Sequence, residues 1–391
     1  MSKRWMREVL LAGATNRGVP VLIKMWNLFL QKVCGYTYVS QDGNAGDFNT
    51  YEKNGTNGSF GGADFNFTDS VAGAFVAGDV NKWLLVVDST NAVNCGWYKI
   101  IAYVNANTVT IAFRSGATEY PTAASSLSWY VLGETYDMPA TLNDYVRIQT
   151  PHVDGWQIEF RYVVGGANSK INLYLSVNGV WGAGQKVLSA PLFNLDTRGT
   201  GDMYNYMIAE TNGTFFLCWQ IYTPTGYNDA CGVSKIITEF ESGHPAIEKW
   251  CLMGSEYAGS TEYRCSRWPD DLGWIRMWRE SLQSQKRCRW LEITDNANDS
   301  SFCYNTTANE KNVRTTLYYG TDKNDIMLGC YVMVDEDNAQ DLYEMPGLLT
   351  GIYMVRSNLT AKTAVSHDGT RDLYHINDGL MVDWPGVTPQ F

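Results

Sequence analysis

FVAGDVNKWLLVVDSTNAVNCGWYKIIAYVNANTVTIAF, residues 75–113, contains three short apolar runs separated by residues that favour tight turns. The runs are KWLLVVD, GWYKIIAYV and TVTIAF, and a fourth, SLSWYVLG, follows after a short interval. Short apolar runs bounded by Asn, Gly and Asp are typical of strands joined by hairpin turns. The stretch therefore predicts a small β-sandwich or barrel of about 70 residues.

The chain has 391 residues, which is more than one hydrophobic core usually organises, since cores stop growing near ~250–300 residues. Gly, Asn, Asp and Ser dominate residues 41–70, and such a long loop marks a module boundary or an insertion. We expect residues 1–45 to form a helix and the first strand of a main domain. Residues 46–135 would form the small β module, inserted into that domain or bordering it, and residues 136–391 a large β-rich domain.

One amphipathic helix is predicted near the N-terminus. Pro20 suits its first turn, and Gly35 stands where a glycine commonly ends a helix. Between them, apolar residues recur along one stripe: Val21, Leu22, Met25, Trp26, Phe29, Leu30 and Val33. Packing in the core of this chain and contact with a neighbouring subunit both explain such a stripe.

The rest of the chain has the pattern of antiparallel sheet. KINLYLSVNG alternates apolar and polar residues before an Asn-Gly turn, and MYNYMIAE and FFLCWQIY flank a short polar turn as a hairpin. Residues 265–292 mix Trp, Arg and Leu around Pro269, and we expect a short helix after Asp271. The predicted fold class is mainly β: a multi-module antiparallel β-sandwich or barrel with one N-terminal amphipathic helix.

The formal net charge of −11 at pH 7 limits the classes of partner. Binding to nucleic acid backbones uses Lys and Arg to displace counterions, and anionic membranes also attract basic surfaces. We therefore expect no direct nucleic acid partner and no membrane partner. The first apolar run is shorter than a secretory signal, and residues 19–35 are shorter than the ~20 apolar residues that cross a bilayer, so we expect synthesis in the cytoplasm.

The sequence contains no recognisable catalytic or cofactor motif. It lacks G-x-S-x-G, H-E-x-x-H and the glycine-rich phosphate loops, and its nine cysteines include no C-x-x-C pair. We predict no enzymatic activity, no cofactor and no bound metal. Three alternatives use residue types that are present: a divalent ion between His367 and His375, a loose calcium site in the acidic residues 335–344, and glycoside hydrolysis by two carboxylates.

Tryptophan and arginine are over-represented at protein contacts, and this guides the choice of candidate interface residues. The predicted contact residues are Trp26 and Phe29 of the helix, and Trp268, Trp274, Trp278, Arg279 and Trp290. Stacking on nucleic acid is the alternative for the segment 268–290, and the net charge disfavours it.

Parts of the sequence resemble structural proteins of tailed bacteriophages. The pattern Gly78-Asp79-Val80, Lys82-Trp83-Leu84 and Gly96-Trp97-Tyr98-Lys99-Ile100 is similar to a small β module of such proteins. The opening VPVLIKMWNLFLQKVCGYTYVSQDG and the ending GLLTGIYMVRSN…DLYHINDGLMVDWPGV look like the same class. The resemblance covers roughly the first 130 and the last 50 residues and brings no active site with it.

The resemblance implies an accessory protein of the tail, neck or baseplate, assembled in the host cytoplasm and found in the virion. Its partners would be other virion structural proteins and further copies of itself, in a homo-oligomer with symmetric contacts. Two other roles remain open: a fibre protein that binds or depolymerises host-surface glycans, and a capsid decoration protein.

Overall fold

The fold of this chain is given by a computed structural model. It describes residues 3–11, 19–42, 48–62, 64–91, 94–112, 121–133, 143–164, 170–183, 185–189, 193–194, 203–222, 227–237, 250–255, 273–279, 284–290, 292–294, 316–318, 326–335, 343–356, 364–367, 371–377 and 380–384. Within these residues the protein is mainly β, with one α-helix near the N-terminus, and the predicted fold class is confirmed.

The secondary-structure elements follow one another in four groups. The first is β1 (Lys3–Leu11), α1 (Val19–Lys32) and β2 (Thr37–Gln41). The second is β3 (Lys53–Phe60), β4 (Asn66–Asp69), a short 3-10 turn (Ala77–Asp79), β5 (Trp83–Val87), β6 (Gly96–Asn105), β7 (Thr108–Ala112) and β8 (Ala124–Leu132). The third is β9 (Tyr145–Gln149), β10 (Gln157–Val164), β11 (Lys170–Ser176), β12 (Val187–Ser189) and β13 (Phe193–Asn194). The fourth is β14 (Met203–Glu210), β15 (Phe215–Tyr222), β16 (Tyr227–Ile237), β17 (Trp250–Ser255), β18 (Gly273–Arg279), β19 (Ser284–Trp290), β20 (Glu292–Thr294), β21 (Thr316–Tyr318), β22 (Ile326–Asp335), β23 (Tyr343–Arg356), β24 (Ala364–His367), β25 (Arg371–Asn377) and β26 (Leu380–Trp384).

Two sheets form the main body. The larger has the strand order β1-β14-β15-β16-β17-β18-β19-β22-β23-β26-β25-β24, and the smaller has the order β12-β11-β10-β9-β2 with β13 also paired to β11. The end of β16 also pairs with β23. The neighbouring strands β16, β17, β18, β19, β22 and β23 therefore form a closed ring within the larger sheet. Strand pairs of both sheets are antiparallel, which fits their hairpin connections.

The strands β3 to β8 close into a separate six-stranded barrel with the order β3-β4-β7-β6-β5-β8. The chain leaves the smaller sheet after β2, builds the barrel and returns as β9, which pairs with β2. The barrel is therefore an insertion between two neighbouring strands of that sheet. Its interior is a separate aromatic-rich core that contains Phe60, Phe67, Phe75, Tyr98 and Trp129.

The helix α1 lies in the centre of the main core. It is buried on all sides from Val21 to Leu30 and packs against β9, β10 and β11. A helix buried all round must satisfy its polar side chains, and Asn27 Nδ2 donates to the carbonyl of Phe48 at 2.6 Å while Lys24 Nζ donates to Thr50 Oγ1 at 3.0 Å. Its end was correctly predicted, because Gly35 has a φ of +78° just beyond the last helical turn.

The short helix expected after Asp271 is wrong. The structure has two antiparallel strands there, β18 and β19, with Ile275 opposite Cys288. In the stretch GWIRMWR, Ile275 and Met277 alternate with Arg276 and Trp278, and this period of two belongs to a strand.

Two further observations concern the described residues as a whole. The α-helix they contain is not long and apolar enough to span a membrane. Cysteines 34, 95, 218, 231 and 251 are buried and not in disulfide bonds.

Candidate functional site

Trp26 and Phe29, two of the predicted contact residues, lie in the core. Both side chains are fully buried within this single chain, and the ring of Trp26 packs against Phe160 at a centroid distance of 5.6 Å. A surface role for these two residues is therefore corrected, because the apolar stripe of α1 faces β10 and the large sheet.

The other predicted contact residues lie on two strands or beyond the described part of the chain. Trp274 and Trp278 share one face of β18, while the register places Arg279 and Trp290 at positions on the opposite face of the sheet. Trp268 lies outside the described residues. The sheet thus separates residues that the helical prediction grouped into one patch, and their role in contacts stays a prediction.

The two metal alternatives fare differently. His367 lies opposite Arg371 at the turn between β24 and β25, and His375 lies four residues further along β25, about 13 Å away along the strand. The turn therefore does not bring the two histidines together. Most of the acidic segment 335–344 lies outside the described residues, and among those that are described no group of three His, Cys, Asp or Glu has the spacing of a metal site.

One end of the barrel exposes an apolar surface, built around the β6–β7 hairpin. The register of β6 against β7 skips Ile101 and Val104, so each is an extra residue in a β-bulge. Their side chains are 49% and 54% exposed. Bulges turn side chains out of the regular pleat, and here they direct two aliphatic side chains into solvent.

The loop before the 3-10 turn adds to this surface. Phe75 N donates to the Ala106 carbonyl at 2.9 Å and Asp69 N to the Asn107 carbonyl at 2.9 Å, so the loop lies along the hairpin turn. Val71 and Val76 on this loop and Tyr103 on β6 are exposed as well. We call these five side chains, Val71, Val76, Ile101, Tyr103 and Val104, the barrel tip.

A second outward-facing surface lies on the smaller sheet, whose inner face packs on α1 and on the large sheet. The registers of β9, β10 and β11 place its outward residues in three rows: Tyr145-Arg161-Asn172, Arg147-Glu159-Tyr174 and Gln149-Gln157-Ser176. Trp181, from the turn after β11, lies at the third row, where its Nε1 donates to Gln157 Oε1 at 2.7 Å. We call this set the arginine grid.

Glu159 occupies the centre of the arginine grid and is fully buried under two guanidinium groups. Arg147 Nε donates to Glu159 Oε2 at 2.8 Å, and Arg161 donates to Glu159 Oε1 through Nε at 2.6 Å and through a terminal nitrogen at 2.5 Å. The guanidinium of Arg147 also stacks on Tyr145 at 4.3 Å and on Trp181 at 4.4 Å, measured to the ring centroids. Arg161 stacks between Tyr145 and Tyr174 at 5.3 and 4.9 Å. The result is a continuous ladder of rings and guanidinium groups with a fixed geometry.

His152 belongs to another polar cluster, between the β9–β10 turn and the large sheet. Lys235 Nζ on β16 lies 3.1 Å from His152 Nε2, and Trp250 Nε1 on β17 donates to Asp154 Oδ2 at 3.2 Å. Burial, and then the charge of Lys235, lower the pKa of His152. A neutral imidazole accepts the hydrogen bond from Lys235 at Nε2, the nitrogen that a general base would use. The contacts of His152 and Asp154 therefore connect the β9–β10 turn to the large sheet.

We expect His152 to make the stability of the protein pH-dependent. Because the folded-state pKa lies below the ordinary value of 6.5, the unfolded chain binds a proton first, and the free energy of unfolding falls as the pH drops through about 6.5. The loss is complete once the pH is below the folded-state pKa. Urea unfolding at pH 7.5 and 5.0 should show a smaller fall for His152→Gln than for the unmodified protein. Equal falls would mean that the imidazole is not held neutral by Lys235.

Sequence reasoning missed the arginine grid, although a signal for it is present. In DYVRIQT and WQIEFRYVVG the apolar residues alternate strictly with Arg147, Glu159 and Arg161, which predicts a polar outer face. The pairing of that face across β9 and β10 depends on the register, which the alternation alone does not give. No protein-family model matches this chain, and no curated protein is significantly similar to it.

Proposed function

We propose that this chain is a structural component of a tailed-phage virion, an accessory protein of the tail, neck or baseplate that acts through symmetric protein–protein contacts. The observation that carries the proposal is the barrel tip. Exposed aliphatic and aromatic side chains that cluster on one end of an inserted module mark a contact surface, since monomeric proteins rarely expose such clusters.

The position of the barrel supports the same role. The barrel has its own core, yet Trp97 Nε1 donates to the carbonyl of Met25 in α1 at 3.2 Å, and Trp83, Leu85 and Leu132 share the main core. The module is therefore held against the main body by buried contacts. A rigid mounting of this kind keeps the ordering cost of assembly low, which favours repeated copies in one geometry.

Sedimentation velocity over a concentration series tests the proposal. We expect the unmodified chain to self-associate, and the double change Ile101→Lys and Val104→Lys to weaken association at least tenfold, because two charged side chains would be placed in an apolar contact. Val153→Lys is the matched control, since Val153 is 92% exposed in the β9–β10 turn, away from the barrel tip.

Two results would contradict the proposal. One is a chain that stays monomeric at the highest concentration and does not enter phage particles when tagged at Phe391 and imaged by electron microscopy. The other is association that the control change weakens as much as the double change does, because the barrel tip would then have no special role.

A further inference from the structure

We propose that the arginine grid is a binding site for an acidic polysaccharide, in which a sugar carboxylate binds Arg147 and Arg161 while the sugar ring packs against the aromatic side chains. This site lies on the smaller sheet and does not involve the barrel tip. Loss of polysaccharide binding at the arginine grid can therefore be distinguished from loss of self-association through the barrel tip.

The arginines have donors to spare for a ligand. A guanidinium carries five N–H groups, and Glu159 accepts one from Arg147 and two from Arg161. The terminal nitrogens of Arg147 have no hydrogen-bond partner among the described residues, and its side chain is 19% exposed. Terminal N–H pairs of this kind match the two oxygens of a carboxylate, which they bind in a parallel, bidentate geometry.

The same contacts hold the arginines in place before a ligand arrives. Glu159 fixes both guanidinium groups through Nε, and the rings of Trp181, Tyr145 and Tyr174 hold them from the sides. A free arginine side chain loses rotamer entropy when it is immobilised. In the grid that loss has already occurred on folding, so more of the interaction energy contributes to affinity.

The neighbouring groups favour a sugar acid over other anions. Gln157 and Gln149 form an amide row beside the guanidinium groups, joined at 3.5 Å, and Trp181 closes that row. A pyranose ring offers a C–H face for an aromatic ring and hydroxyls for amides, in addition to its carboxylate. An acidic peptide supplies the carboxylate without that flat face.

Isothermal titration calorimetry with three probes tests the assignment. The probes are an oligogalacturonate, its fully methyl-esterified form, which keeps the rings and removes the charges, and poly-glutamate, which keeps the carboxylates and removes the rings. We expect oligogalacturonate to bind at least tenfold more tightly than either of the others, with an affinity that falls as salt is raised.

Variants locate the site. Arg147→Lys keeps the positive charge and removes the paired N–H donors of the guanidinium group. Trp181→Ala removes one aromatic ring, which lies on an exposed turn. Each change should weaken oligogalacturonate binding at least fivefold. Lys99→Met is the matched control, because Lys99 also stacks on a ring, that of Trp83 at 5.1 Å, but lies on the barrel. Thermal unfolding of Trp181→Ala should remain a single transition within a few degrees of that of the unmodified protein, which separates lost binding from lost folding.

Each other outcome overturns the inference. Absence of heat for oligogalacturonate at millimolar concentration removes the site altogether. Equal affinity for poly-glutamate assigns the grid to acidic peptides, and equal affinity for the methyl ester removes the role of the guanidinium groups. Binding that survives both Arg147→Lys and Trp181→Ala places the ligand elsewhere on the chain.

Discussion

Replacing Trp26 by alanine is expected to lower the free energy of unfolding by about 3–5 kcal/mol, the usual range when a buried tryptophan is truncated. Trp26 is fully buried in α1 and packs against Phe160, which itself contacts Phe216 of the large sheet at a centroid distance of 6.2 Å. The cavity left by the indole would lie where the helix and both sheets meet. Little collapse is expected there, because rigid elements surround the site on every side.

Urea unfolding followed by far-ultraviolet circular dichroism measures this effect. Trp181→Ala is the matched control: the same substitution on a partly exposed side chain of the smaller sheet, for which we expect a loss of about 1 kcal/mol or less. If Trp26 instead belonged to a subunit contact, Trp26→Ala would change the sedimentation coefficient and leave the unfolding midpoint of the dilute protein unchanged.

The helix shows how far local sequence signals extend. Pro20 and Gly35 predicted both of its ends, because turn and cap preferences depend on the backbone of a few neighbouring residues. The stripe also predicted correctly that one face is buried. It did not show that the core would enclose the helix completely, since Lys24 and Asn27 find partners in Thr50 and Phe48 that the sequence does not place nearby.

The segment around β18 shows where local signals conflict. Pro269 and Asp271 have the chemistry of a helix start, while GWIRMWR has the alternation of a strand. Pairing with β17 on one side and β19 on the other decides in favour of the strand. The partner strands β17 and β19 lie outside a window of a few residues around Asp271. A local pattern therefore cannot show that strand pairing outweighs the helix-start signal.

Buried carboxylates are the features that the sequence conceals most completely. The sheet register determines the partners of Glu159, and those of Asp79 include Lys53, which is 26 residues away. Nothing in the local pattern separates these two residues from the many acidic residues on the surface. Long-range pairing, which converts an ordinary acidic residue into a buried ion pair, is therefore the part of this site that required the structure.

Asp79 gives the second large effect, and Asp79→Asn is expected to cost about 2–4 kcal/mol of barrel stability. The Asp79 side chain is fully buried in the short 3-10 turn, where it accepts hydrogen bonds from Lys53 at 2.6 Å, Lys82 at 3.1 Å and Val76 N at 2.9 Å. An amide would leave the Lys53 ammonium without its ion pair to Asp79, while Lys82 would keep only its ion pair with Glu52. The two lysine side chains are 29% and 19% exposed, so water compensates in part and the cost stays below that of a fully buried pair.

The pH dependence of this difference identifies its cause. Burial alone would raise the pKa of Asp79, but the hydrogen bonds from Lys53, Val76 N and Lys82 outweigh it and hold the pKa below the ordinary value of 3.8. A lowered folded-state pKa adds stability that is complete above the unfolded pKa and is lost as the pH falls through the folded pKa. The stability difference between the unmodified protein and Asp79→Asn should thus be constant from about pH 5 to 8 and shrink below pH 4.

Hydrogen exchange at pH 6 on peptides from β3 to β8 measures the loss of stability in the barrel itself. Urea unfolding of the same variants at pH 3.0 to 6.0 measures how that loss depends on pH. Asp64→Asn is the control, since Asp64 is an exposed carboxylate of the same barrel and, among the described residues, its side chain bonds only to Asn66. It should change stability by less than about 0.5 kcal/mol at every pH. If the stability difference between the unmodified protein and Asp79→Asn persists unchanged to pH 3, the effect comes from packing. Protonating the Asp79 carboxylate would then not weaken the fold, so its ion pairs with the lysines would not be the cause.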